Sequence, residues 1–213
     1  MKNKKELEKR AYNFEVRAEE REDGTGIITG RPIVYEAETV IGDYFKEIIS
    51  RGALDGTDLT DVRFLVNHNT EMIPLARSRR NNGNSTMQLS VDYEGLTIET
   101  LLDIENNNDA RALFSAVKRG DITGMSFMFS VTDEEWEDLD SELPTRRIKS
   151  IGSVIEVSAV TWPAYEQTDI NARNKEALES ARSAVETARS QRGKSLESDV
   201  EIEKARILAK LKF

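Results

Sequence analysis

Cysteine is absent from the 213 residues, and histidine occurs once, at His68. Without a thiol the chain has no disulfide, no cysteine nucleophile and no thiolate zinc site, and a single imidazole leaves only carboxylate-rich metal sites open. No metal and no cofactor is expected. Long apolar runs are missing too, since nothing approaches the roughly 18 residues that a membrane-spanning helix needs. The opening MKNKKELEKRAYNF lacks the apolar stretch of a secretory signal. A cytoplasmic protein with no membrane partner is therefore expected. Positive charge is also in deficit: 30 Lys+Arg stand against 39 Asp+Glu, a net −9. That argues against a general nucleic-acid binder, which needs a basic face, and the local patch Arg77–Arg80 does not reverse it.

What is present fits one well-buried domain with an appendage, given the length and a composition 38% hydrophobic and 32% charged. The expected divisions are a charged lead-in over 1–11, a β-rich domain over 12–171 and a helical tail over 172–213. The lead-in reads as a short helix or a frayed end. NFEVRAEE and GIITGRPIVYEAE flank an Asp23-Gly24 turn signal and predict a β-hairpin. DYFKEIISRGAL reads as a turn or a short helix. In DVRFLVNH, Val62, Phe64, Val66 and His68 alternate, which predicts a strand whose apolar face ends in His68. STMQLSVDYEGLTIETLLD predicts a second hairpin with Leu96, Ile98 and Thr100 on one side. The clearest helix signal is NNNDARALFSAVKRGDITG, with Ala110, Leu113, Phe114 and Val117 at i, i+3, i+4, i+7 and Gly120 just past the end.

GMSFMFSV then reads as a short strand. Seven acidic residues between Asp133 and Glu142 predict a solvated hairpin loop, and IKSIGSVIEVSAVTWPAY returns as one or two strands ending at Pro163. In the tail, Ala177, Ala181, Ala184 and Ala188 recur at spacings of 4, 3 and 4, flanked by Leu178 and Val185. Such a thin seam needs a partner helix, the domain or a second copy to be stable.

Acyl transfer at neutral pH without cysteine calls for a serine activated by histidine, with a third group holding the imidazole in the useful tautomer. His68 is the one available base, and by itself it reads equally as a satisfied residue at a strand end. Ser126, Ser130 and Ser158 are the strand serines to consider. Ser126 follows Gly124-Met125, where backbone can approach a substrate, though a small polar residue also simply fits between packed side chains. Glu156 lies inside SVIEVSAV, where a carboxylate among apolar residues is costly unless it is paired. An arginine would make that pair structural; an imidazole N–H would make it catalytic.

The ordered segments VNHNTEMIPLARS, EGLTIE, ALFSAVKRGDITGMSFMFSV, a tryptophan in an acidic loop and IEVSAVTWPAY resemble the prohead maturation protease family of tailed bacteriophages. The upstream GRPIVYEAETVIGDYFKEIISRGAL fits the same family, so the resemblance covers about Ile27 to Thr168. It implies an α+β fold: a mainly antiparallel, β-barrel-like core with surrounding helices, related to the herpesvirus assemblins. It implies a serine endopeptidase that cuts scaffold and capsid proteins, and often itself, inside the assembling prohead in the host bacterial cytoplasm, with a homodimer among its assembly states. Carried over by motif, His68 is the base, Ser126 the nucleophile and Glu156 the acidic third member. Oxyanion or substrate contacts fall to Trp162 and Ala164, with Thr161 beside them and Arg77 as a second location; Pro163 has no N–H to give. Leu75-Ala76-Arg77 departs from the family, which often has glycine between the leucine and the arginine. The competing expectation is a non-catalytic assembly or scaffold protein of the same fold whose tail binds capsid protein.

Overall fold

Period-two burial builds most of this chain. The computed structural model describes residues 7–12, 16–162, 179, 182–194, 201, 202 and 204. In chain order the elements are β1 (Glu8–Tyr12), β2 (Val16–Glu20), β3 (Gly26–Val34), β4 (Thr39–Ile41), β5 (Phe45–Ile49), β6 (Arg63–Val66), β7 (Ala76–Arg77), β8 (Met87–Val91), β9 (Gly95–Leu102), α1 (Asn108–Arg119), β10 (Gly124–Glu137) and β11 (Thr145–Val160). Residues 182–194 are helical. The fold is α+β.

The chain forms two compact units, Met1–Glu38 with Ile48–Glu135 and Arg147–Asp169 in the first, and Thr39–Glu47 with Trp136–Arg146 and Ile170–Phe213 in the second. The first unit holds the order β2-β3-β9-β8, antiparallel throughout, and a separate layer in which β1 pairs with β10, β10 neighbours β11, and β6 runs parallel to β11 with β7 at its side. The strands therefore sort into open sheets, and no closed barrel forms among the described residues. The expectation of a barrel-like core is corrected here: the four-stranded sheet ends in β2 on one side and β8 on the other, and those edges do not pair with each other. The β6–β11 pair is parallel and so cannot be joined by a tight hairpin; the chain passes through β7, β8, β9, α1 and β10 between them.

Both expected hairpins form. Asp23 accepts the Thr25 N–H in the β2–β3 turn, where Gly24 takes φ +80°, and Leu96, Ile98 and Thr100 of β9 all face inward. Helix α1 begins at Asn107, whose side chain accepts the Asp109 and Ala110 N–H groups, and ends at Gly120 in the left-handed conformation. Its buried stripe is Ala110, Leu113, Phe114 and Val117, which joins Ile28, Ile33, Leu102, Phe64 and Phe127 in one continuous core.

Three segments depart from the sequence reading. The described end of the lead-in lies in a strand, β1, and not in a helix or a frayed end; residues 1–6 lie outside the described residues. Within DYFKEIISRGAL, Phe45–Ile49 form β5 because Phe45, Glu47 and Ile49 alternate inward, with turns on either side. The acidic stretch does not begin a loop: β10 runs on to Glu137, so Asp133–Glu137 are strand residues with exposed side chains along most of their length. In the second unit β4 and β5 make a hairpin, Trp136 meets Phe45 edge to face at 5.1 Å, and Arg189 of the C-terminal helix donates to the Leu139 and Ser141 carbonyls at 3.0 and 2.8 Å. Val185 is buried there. Of the expected alanine seam, Ala177 and Ala181 lie outside the described residues. No described helix is long and apolar enough to cross a membrane.

Candidate active site

The parallel pairing of β6 with β11 sets the first part of the site. Phe64 lies beside Val157 and Leu65 beside Ser158, and both Phe64 and Leu65 are buried, so this short strand is covered on both faces as parallel strands usually are. The Asn67 N–H continues the ladder to the Ala159 carbonyl at 2.9 Å. There the strand stops. Asn67 and His68 take φ of +51° and +57°, a left-handed backbone that costs L-residues roughly 1–2 kcal/mol each. His68 is thus not the last residue of an apolar strand face, as its alternation predicts, but the second of two residues that turn out of β6.

Local hydrogen bonds hold that turn. The Asn67 side chain takes the Thr161 N–H at 2.9 Å and gives to Thr161 Oγ1 at 3.0 Å. The His68 N–H gives to Ser158 Oγ at 3.1 Å. The turn delivers the imidazole between two strands: Nδ1 meets Glu156 Oε1 of β11, and Nε2 lies 2.5 Å from Ser126 Oγ of β10. The second carboxylate oxygen of Glu156 accepts the Ser158 hydroxyl at 2.5 Å. Glu156 is 1% exposed and Ser126 0%.

This line of groups has a defined proton order. With Nδ1–H donated to the carboxylate, Nε2 carries a lone pair toward the serine hydroxyl. A proton moved from Oγ to Nε2 leaves an imidazolium beside a buried anion, which is the arrangement that general-base activation of an alcohol requires. The Ser126 hydroxyl also donates to the Arg10 carbonyl of β1 at 2.7 Å, so its one proton has two acceptors in reach.

The other sequence candidates are elsewhere. Ser130 pairs with Ser153 at 2.9 Å. Ser158 holds the His68 turn and the Glu156 carboxylate together, a role that its place two residues from Glu156 on the same strand face made possible but did not announce. The Arg77 guanidinium is taken up by Asp61, at 2.5 and 2.7 Å; those hydrogen bonds hold the Asp61 carboxyl below its ordinary range. The Thr161 N–H is engaged by Asn67 and so is not free for an oxyanion. Trp162 is 85% exposed, and Ala164 lies outside the described residues. Among the described residues no group of three carboxylates or imidazoles is placed to hold a metal ion. Sequence reading missed Arg10 entirely, because nothing in EKRAY marks it as covering a site.

Residues 12–182 match the family model described as Caudovirus prohead serine protease. A solved structure of the bacteriophage T4 capsid assembly protease, gp21, is similar over 73% of this chain and 99% of its own, at 12% identity and a TM-score of 0.34. No curated protein matches.

Proposed function

The chain belongs to the caudovirus prohead serine protease family, and from that premise we propose that Ser126, His68 and Glu156 carry the proteolysis by which it matures the prohead. The observation that supports this reading most is the unbroken line from Ser126 Oγ through the imidazole to the buried Glu156 carboxylate.

In the proposed reaction Ser126 Oγ attacks the carbonyl carbon of a peptide bond while His68 Nε2 takes the hydroxyl proton. Glu156 holds Nδ1–H and stabilises the imidazolium. As the C–N bond breaks, Nε2 returns that proton to the leaving amine, which leaves an ester on Ser126. Water then attacks the ester, gives a proton to Nε2, and the acid product departs as the proton returns to Oγ. Ser158 is a positioning residue, fixing both the carboxylate and the turn that carries His68. The oxyanion and substrate contacts come from the segment after β11, with Trp162 and Ala164, or from Arg77 as the second location.

Scaffold and capsid proteins inside the assembling shell in the host cytoplasm are the substrates in this proposal, with a protease domain over 12–171, a recruiting tail over 172–213 and a homodimer as the assembly state. A non-catalytic assembly factor would have no need of serine and imidazole at bonding distance. Co-expression of the scaffold and major capsid proteins with wild type or Ser126→Ala tests the reading. The expected result is cleavage by wild type and a loss of about three or more powers of ten in rate for a folded Ser126→Ala protein. Undiminished cleavage by that variant would overturn the assignment.

A further inference from the structure

A serine that is to attack a polypeptide must be reachable by one, yet Ser126 is 0% exposed. Against it lies a segment of polypeptide in extended form. β1 pairs antiparallel with β10 over five residues, Ala11 opposite Ser126 and Arg10 opposite Phe127. It ends the strand order on that side. β1 also lies upstream of the family match, which begins at its last residue.

The pose is that of an occupant and not of a substrate being cut. The Arg10 carbonyl oxygen, and not its carbon, faces Ser126 Oγ, and it accepts the hydroxyl proton at 2.7 Å in competition with His68 Nε2. A carbonyl about to be attacked would turn its oxygen away, toward donors that stabilise the developing negative charge. The Arg10 side chain lies 5.7 Å over the Phe129 ring of β10, and within β1 it pairs with Glu8 at 2.6 Å. It is 8% exposed, although it is a charged residue in the first described strand.

We propose that the edge of β10 from Met125 to Phe129 is the docking site for an extended polypeptide substrate, and that β1 occupies it in the free chain and must be displaced before cleavage. Adding a strand to a sheet edge recognises a segment through its main chain, while alternate side chains set preference. A substrate seated in the register of β1 brings its carbonyls past Ser126. Five pairs at a sheet edge make a unit small enough to open locally. Occupancy lowers the apparent affinity for substrate by the fraction of molecules in which the edge is free. The inference rests on the proposed role of Ser126 as nucleophile, and its test separates the two.

The test uses the full chain. Arg10→Pro and Ala11→Pro each remove one main-chain N–H of β1, and because alternate residues of an antiparallel strand face the partner, one of the two removes a ladder bond. Arg10→Ala releases the Glu8 and Phe129 contacts without altering the backbone, and serves if a proline variant fails to fold. The rate of Ser126 modification by a fluorophosphonate is measured with Ser126→Ala as the blank, alongside hydrogen exchange of the β10 amides. The expected result is labelling about tenfold faster in the more disruptive proline variant, with faster exchange over residues 125–129. A synthetic peptide of residues 7–12 added in trans should slow both again. Folded variants that label and exchange like wild type would overturn the inference. Faster exchange that the peptide reverses, with no labelling in any variant, would leave the docking edge standing and overturn the role of Ser126 instead.

Discussion

Among the described residues two glutamates are buried in strands, each 1% exposed, and they meet different partners. In the second unit Glu47 of β5 pairs with Arg146 at 3.0 Å, with both side chains almost wholly covered. In the first unit Glu156 of β11 takes the His68 ring on one oxygen and the Ser158 hydroxyl on the other. The guanidinium keeps its charge at any pH the protein works in, so the Glu47 pair is fixed and has no proton to move. The imidazole can both give and take a proton, and it presents its other nitrogen to Ser126. Burial alone therefore says that a carboxylate is paired; the chemistry of the partner says whether the pair can do work.

Exchanging each glutamate for glutamine tests that contrast most severely. Glu156→Gln removes the charge that stabilises the imidazolium in the proposed mechanism, and kcat for scaffold cleavage should fall by about four powers of ten, the scale of loss when a triad acid is replaced by its amide. Its thermal unfolding should shift little by comparison, since Gln keeps the volume and one acceptor. Glu47→Gln should do the reverse. It breaks the buried Glu47–Arg146 ion pair, a loss of about 3–5 kcal/mol read by denaturant unfolding, while turnover per folded molecule stays at the wild-type level. A large activity loss in Glu47→Gln, or none in Glu156→Gln, would break the comparison.

An exposed carboxylate gives the smallest effect and sharpens the same contrast. Asp92 is gripped by Arg31 through bonds of 2.7 and 2.8 Å and also accepts the Glu94 and Gly95 N–H groups. The Arg31 bonds, first, and those amides hold its pKa down to about 2, from an ordinary 3.8. The folded value is the lower one, so the stabilisation is present above the ordinary value and disappears as pH falls toward 2. Asp92→Asn should cost less than about 1 kcal/mol at neutral pH because solvent screens the pair. In an unfolding series the two proteins should converge between pH 4 and pH 2. A difference that persisted below that window would mean the contribution of Asp92 is not electrostatic.

The same contrast explains how far the site could be read in advance. The cost of a carboxylate in an apolar strand was visible at Glu156 in SVIEVSAV, and it was equally present at Glu47 in FKEII, which reads as a turn or a helix until β5 is seen. Periodicity gave α1 and both hairpins, because a stripe at i, i+3, i+4, i+7 and an alternation around Asp23-Gly24 are local signals. It failed at His68, since the alternation through Val62, Phe64 and Val66 continues past the point where Asn67 turns left-handed. It failed at β1 too: EKRAY has no apolar alternation, and becomes a strand only because β10 offers it an edge.

By itself the sequence limited the chemistry, leaving one imidazole, no thiol and a handful of strand serines, and its ordered motifs carried the family. Tertiary structure decided which groups meet. His68 and Ser126 are 58 residues apart and Glu156 is 30 further on, and their contact depends on a parallel β6–β11 pairing that no local pattern encodes. The contact of β1 with Ser126 is a long-range pairing of the same kind, Arg10 lying 116 positions before the serine it touches. Composition and period are properties of neighbours in the chain, whereas a proton path through three side chains is set by the geometry of strands brought together from its distant parts.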